Sequence, residues 1–456
     1  MKKILSLVCA MFMVVGLTGC SSADEGADTP DTPTNEPAEG QVLKVAAFAG
    51  GYGEQVWKDL AAKFEETHEG VTVEVTASAK IDEILRPQLQ SGEYPDVIQY
   101  NVGQPSGFTE TLIKENALLD LSDVFEGTET GDKIANGFLD NTTTQPYGDG
   151  KIYLAPMFYS PCGLWYNKAK FGEGGYELPT TWDEMWALGD QLAGSETALF
   201  VYPTNGYFDA MLYAMLNQAG GNDYYAEALK YGPETWTSEA GEKVLDTINT
   251  LITKYTFKDA ASNANSGNFM MNQQAVLDGT ALFMPNGNWI IGEMGEAPRE
   301  EGFEWGFMPL PAYEEGGKRY SYTFFEQMYV PAQAENPELA KEFIKFMYSD
   351  EAVKILLNNK KVSEDGVESP APAIQPVKGI VDKLEGDNKI IYGIYETENT
   401  YATVGTFAST ESIEGLVLAD VVFNPIDELL AGSMTKEEWQ TKLVDAFAKF
   451  HDALPQ

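Results

Sequence analysis

Past residue 41 the apolar positions change rhythm every ten residues or so. Val42 to Phe48 is a short apolar run that ends in Ala49-Gly50-Gly51-Tyr52-Gly53. Val56, Trp57, Leu60, Ala61 and Phe64 then recur at helical spacing, and Val71, Val73 and Val75 alternate as a strand does. Ile81, Ile84, Leu85 and Leu89 predict a second helix, although Pro87 falls inside it and argues against an unbroken one. Tyr94-Pro95-Asp96 leads into a third strand, Val97 to Tyr100. The order β-α-β-α-β predicts a parallel sheet with helices on its faces, whose ligands sit in the loops after the strands. Those loops are residues 50–54, 77–80 and 101–106. Farther on, helical patterns cover Trp182–Leu192, Phe208–Gln218, Ala240–Ile252 and Pro337–Met347, the last with Asn336 placed to cap it. Ala281–Met284 predicts a strand that runs into Asn286-Gly287-Asn288-Trp289. No fixed repeat appears. The alternation runs too far for one sheet and predicts two α/β lobes.

The N-terminus differs from all of this. Met1-Lys2-Lys3 precedes an apolar stretch from Ile4 to Leu17, the form of a secretory signal and too short for a comfortable membrane span. Leu17-Thr18-Gly19-Cys20 resembles the lipobox of bacterial lipoproteins, which implies a signal peptide over 1–19 and a lipid on Cys20. Residues 20–41 are acidic and polar with no base, the composition of a solvated tether reaching roughly 25 Å. Cys9 lies in the signal, so Cys162 alone remains in the folded part and no intrachain disulfide can form there. With only His68 and His451 in the chain, a Cys–His nucleophile is disfavoured. The net charge of −40, with 30 basic against 70 acidic residues, rules against nucleic acid and disfavours anionic ligands. No motif for a metal, a phosphate cradle or a nucleophile elbow is present, so no cofactor, metal or catalytic residue is expected. A glycoside hydrolase using two carboxylates remains an alternative, since 70 acids always offer a pair.

Four stretches resemble the family 1 extracytoplasmic solute-binding lipoproteins of carbohydrate ABC importers. They are the opening strand and helix closing on Phe64-Glu65-Glu66, Tyr94-Pro95-Asp96-Val97-Ile98, the pair Gly163-Leu164-Trp165-Tyr166-Asn167-Lys168 and Pro179-Thr180-Thr181-Trp182-Asp183-Glu184, and Pro337 to Phe346 with Ser349-Asp350-Glu351-Ala352. The resemblance implies a maltose-binding-like fold of two lobes with a hinge near Pro156–Pro161 and a cleft between them. One lobe would hold 42–156 plus 312–365, the other 157–311 plus 366–456. It further implies a monomer, lipid-anchored on the outer face of the cytoplasmic membrane, that serves a permease and its ATPase.

A saccharide needs flat aromatics for its C–H faces and amides or carboxylates for its hydroxyls. Five groups of residues offer these at strand ends: Tyr52 and Glu54 in the first Gly-rich loop; Asn101 after the third strand; Tyr207, Phe208 and Asp209 in a turn-rich loop; Asn286, Asn288 and Trp289; and Phe324, Glu326 and Gln327. Trp289 matches the stretch in which resembling proteins carry a sugar-stacking Trp. Alternation places Phe324 and Glu326 on one face of their strand, with Phe325 and Gln327 on the other. Glu326 would be a carboxylate in an apolar strand, which needs a hydroxyl partner. The Asn-Gly-Asn-Trp and Phe-Phe-Glu-Gln runs resemble most the branch that binds N-acetylglucosamine or chito-oligosaccharides. A peptide or polyamine binder of the same fold is the other alternative.

Overall fold

The alternation of the first hundred residues folds as its pattern predicts. In the computed structural model, which describes residues 40–454 apart from 105, 136, 142, 202–207, 265–266, 296, 363–365, 367, 398 and 409, strands β1 (Gln41–Phe48), β2 (Val71–Ser78) and β3 (Val97–Gln99) pair in parallel. The intervening helix Gln55–Thr67 buries Val56, Trp57, Leu60, Ala61 and Phe64, the stripe that spacing selects. Pro87 does not end the next helix, which runs from Ile81 to Ser91. Ile81 and Leu85 are fully buried on its inner face, and that packing offsets the one backbone bond a proline cannot make.

Asp96 explains the Pro-Asp-apolar signature. Its buried carboxylate accepts from the backbone N–H of Lys44 at 2.9 Å and of Asn336 at 2.7 Å. It thereby joins β1 to the start of the helix Pro337–Met347. Asn336 does occupy the N-cap position, but its side chain accepts nothing from that helix; it donates to the carbonyl of Val42 at 3.0 Å and to Asp96.

Six further strands complete the main sheet: β4 (Ala155–Asn167), β5 (Ala198–Phe200), β6 (Ala281–Gly287), β7 (Trp305–Met308), β8 (Arg319–Tyr329) and, after a separate ribbon of β9 (Lys360–Val362) and β10 (Glu368–Pro370), β11 (Thr400–Thr403). The order is β2-β1-β3-β8-β4-β6-β5, with β7 also on β4 and β11 on β8. Two long strands carry the chain from one half to the other. Residues 155–161 of β4 pair with 323–328 of β8, with a register shift between Pro156 and Phe158. Beyond that crossing β8 pairs with β3 in the first half, while Cys162–Asn167 pair with β6 and β7 in the second. The second half packs around Tyr213, Trp236, Leu245 and Phe447, with Cys162 buried beside them. Residues 376–378, expected with the second lobe, bond to residues expected in the first: Ala135 N–H donates to Pro376 O at 2.8 Å and Lys378 N–H to Lys133 O at 2.8 Å.

Gly163 sits where β7 crosses closest to β4. A Cβ there would lie 2.5 Å from the Met308 carbonyl oxygen and 2.8 Å from the Phe307 ring. The backbone of β7 cannot withdraw without breaking its ladder, so Gly163→Ala is expected to cost about 1–3 kcal/mol. The measurement is a lowered urea midpoint at unchanged m-value.

Candidate functional site

The strand crossing presents two chemically different faces. Behind it, Tyr159 packs edge-on against Phe138 at 5.1 Å and Tyr392 at 4.7 Å, and the Tyr392 hydroxyl donates to the Tyr159 carbonyl at 2.8 Å. In front, Phe158 and Ser160 of β4 and Phe324 and Glu326 of β8 line a cavity of about 200 Å³, closed by residues 101–104 and Thr406. Phe325 also borders the cavity, but its ring packs against Phe138 at 5.9 Å on the opposite face, as the alternation expected for β8 requires. Phe324 keeps 37% of its surface exposed.

Among the described residues lining this cavity, Glu326 is the only ionisable one. One carboxylate oxygen accepts from the Tyr52 hydroxyl at 3.1 Å, the other from Gln99 Nε2 at 2.7 Å. Burial pushes its carboxyl up to about 7, against the pull of those two hydrogen bonds. The same enclosure and the neighbouring carboxylate hold the Tyr52 phenol well above its usual range, so it remains a donor. Asn101 Oδ1 is buried at the cavity edge and has no hydrogen-bond partner among the described residues. The described surface is thus an aromatic ring beside acceptors, with no cation among its lining residues. It can take an apolar face and hydroxyl or N–H donors together.

The sequence-predicted residues divide on this geometry. Tyr52, Asn101, Phe324 and Glu326 come together. Trp289 adjoins them, its ring 5.8 Å from that of Phe324. The indole lies folded over the strand end, where a Cβ on Gly287 would come within 2.1 Å of it. Phe208 is fully buried and packs toward Phe423 at 6.4 Å, a core position. Gln327 is also buried: its Oε1 accepts from Val102 N–H at 2.9 Å, so it shapes the 101–104 loop without facing the cavity. Asn288 reaches Tyr392 at 3.4 Å, and Asn286 is enclosed, with its Oδ1 accepting from Gly287 N–H at 2.8 Å. Glu54 is exposed beside Lys58 at 3.6 Å. Tyr207 and Cys20 lie outside the described residues, as does the side chain of Asp209. Sequence reasoning missed Gln99, Phe158, Ser160 and Thr406. For Gln99 a signal existed, a lone amide in the apolar run from Val97 to Tyr100.

Two halves joined by a pair of crossing strands, with a cavity against the crossing, define a two-lobe solute-binding fold. The apo form of RafE from Streptococcus pneumoniae has the same architecture: TM-score 0.67, 18% identity, covering 91% of this chain and 100% of that one. Residues 59–362 match the family of bacterial extracellular solute-binding proteins, and the chain belongs to that family. It is accordingly a solute-binding protein and not an enzyme, and the family places it outside the cytoplasm. Among relatives, the diacetylchitobiose binding protein of Streptomyces coelicolor is 26% identical over 353 residues, 74% of each chain. The maltodextrin-binding protein of Bacillus subtilis is 22% identical over 406 residues, 87% of each.

Proposed function

We propose that this protein is the lipid-anchored receptor of a carbohydrate ABC importer. It captures a di- or oligosaccharide between its lobes and delivers it to a membrane permease and ATPase. The observation that carries this reading is the exposed Phe324 ring beside a carboxylate already oriented by Tyr52 and Gln99. A pyranose would lay its C–H face on the ring and donate hydroxyls to Glu326 and Asn101. Trp289 would extend the aromatic wall toward a second sugar unit. The names of the two relatives support a saccharide, and the first supports the lean to N-acetylglucosamine oligomers. Within the division into 42–156 plus 312–365 and 157–311 plus 366–456, the boundary at 156/157 is supported by the crossing of β4 and β8, while 376–378 bond across to residues 133–135 of the other lobe. Closure about that crossing would let both lobes contact the solute. Anchoring through Cys20 and the 20–41 tether rests on the sequence motif.

The test is a thermal-shift panel on the full chain with mono-, di- and oligosaccharides, short peptides and putrescine. A ligand at 100 times its Kd adds about 2.7 kcal/mol to stability, so one saccharide class is expected to raise the melting temperature clearly. A response to peptides or putrescine alone would leave the fold and remove the carbohydrate assignment.

A further inference from the structure

A larger cavity, of about 360 Å³, lies away from Glu326 at the edge of the sheet that β11 forms. One wall is formed by Gly137, Asp140, Asn141, Gln145 and Gly148, which precede β4. The other is the second part of the helix Asp209–Leu229, and Ala402 and Val404 lie between them. The two walls belong to opposite halves of the molecule.

Both walls are built to hold their shape. Asn141 knots the first: its Oδ1 accepts from the N–H groups of Thr143 and Thr144 at 2.9 and 3.1 Å, and its Nδ2 donates to the carbonyls of Gly137 and Phe138. In the second wall Gly221 adopts φ 77 and ψ −177 and breaks the helix, a left-handed backbone that glycine adopts without strain. The two residues after this kink, Asn222 and Asp223, line the cavity. Asn217 lies one turn earlier and is only 5% exposed. Its Nδ2 donates to Thr403 Oγ1 at 3.2 Å, while its Oδ1 has no partner among the described residues. A buried acceptor left unpaired is costly, so it calls for a donor from an occupant.

The lining defines that occupant. Asp140 and Asp223 stand on either wall with no Lys, Arg or His among the described lining residues, which disfavours an anion. Gln145, Asn217 and Asn222 add amides, which excludes an apolar guest. The space far exceeds the roughly 30 Å³ share of one water. We propose that this cavity is a second binding site, for a neutral polyhydroxylated solute such as a saccharide unit, distinct from the site over Glu326. The proposal rests on the carbohydrate reading of the protein and adds a second station to it. A solute gripped by both walls binds only the arrangement in which they face each other, so occupancy favours that arrangement of the lobes.

The experiment is calorimetric titration of the full chain with the saccharide that gives the largest thermal shift, counting binding classes in wild type, Phe324→Ala and the double variant Asn222→Ala/Asp223→Ala. Asn222 and Asp223 are exposed, so the double variant keeps its core. The expected result is two classes in wild type. The double variant should weaken the second at least tenfold and leave the first unchanged, and Phe324→Ala should do the reverse. A single class that the double variant leaves intact overturns this proposal but keeps the carbohydrate reading. Binding of no saccharide overturns both. Titration with putrescine is the remaining arm: a class that it fills, that no saccharide fills and that the double variant removes would make the site one for cations and overturn the assignment.

Discussion

Phe324→Ala is expected to weaken saccharide binding by roughly 30-fold, about 2 kcal/mol, and to leave the melting temperature of the free protein almost unchanged. The loss combines the stacking contribution of an aromatic face with the area it would bury against a sugar. The unliganded protein loses little because the ring is 37% exposed. Its neighbour gives the opposite outcome. Phe325 is 8% exposed and packs edge-on against Phe138 at 5.9 Å on the other face of the same strand. Phe325→Ala is expected to destabilise the protein by about 3–5 kcal/mol through the cavity it leaves. Calorimetric titration and urea denaturation of both variants separate the two effects. Equal loss of stability in the two would mean that Phe324 is a packing residue, and would remove the main support for the site.

The second large effect is a pH dependence. The Glu326 carboxyl titrates near 7 in the folded protein and near the ordinary 4.5 when unfolded. Between those values the folded protein holds a proton that the unfolded chain has released. Stability therefore falls as pH rises through this window, by at most on the order of 3 kcal/mol once pH exceeds 7. Glu326→Gln is neutral throughout. It should unfold at a higher urea concentration than wild type at pH 8 and at about the same concentration below pH 4.5. A hydroxyl-bearing ligand that donates to the carboxylate offsets the penalty, so the stability added by saccharide should be larger at pH 8 than at pH 5 in wild type alone. A flat profile in both proteins would mean that Glu326 is solvated well enough to titrate as an ordinary carboxyl.

How much of this could be read from the residues depended on distance along the chain. The β-α-β-α-β opening was legible because each element carries its own period, and Val56 to Phe64 occupy the face that spacing assigned. Glu326 was legible because an acid amid aromatics in a strand has few other reasons to be there. Phe208 and Gln327 had suitable chemistry, but each is turned inward by packing that residue type alone does not reveal: one faces the second core, the other holds the backbone of Val102. Phe158, Ser160 and Thr406 reach the cavity only through the pairing of β4 with β8 and the turn after β11. That pairing joins residues more than 150 positions apart, and no local pattern announces it. Pro87 weakened the helix reading without overturning it, because two buried side chains outweigh a local preference.

The place of β8 has a consequence for how the molecule assembles. Its C-terminal end is the partner of β3, and its middle is the partner of β4. A chain cut short before Arg319 would hold β1, β2 and β3 with an open edge on one side and β4 lacking its β8 partner on the other, the template on which stray strands add. The first half therefore cannot finish itself from its own early residues. It waits for a strand delivered some 220 positions later, past the 157–311 part of the second half, so ordering of the sheet comes late and slowly. Until then the growing chain stays open for any machinery that must handle it unfolded.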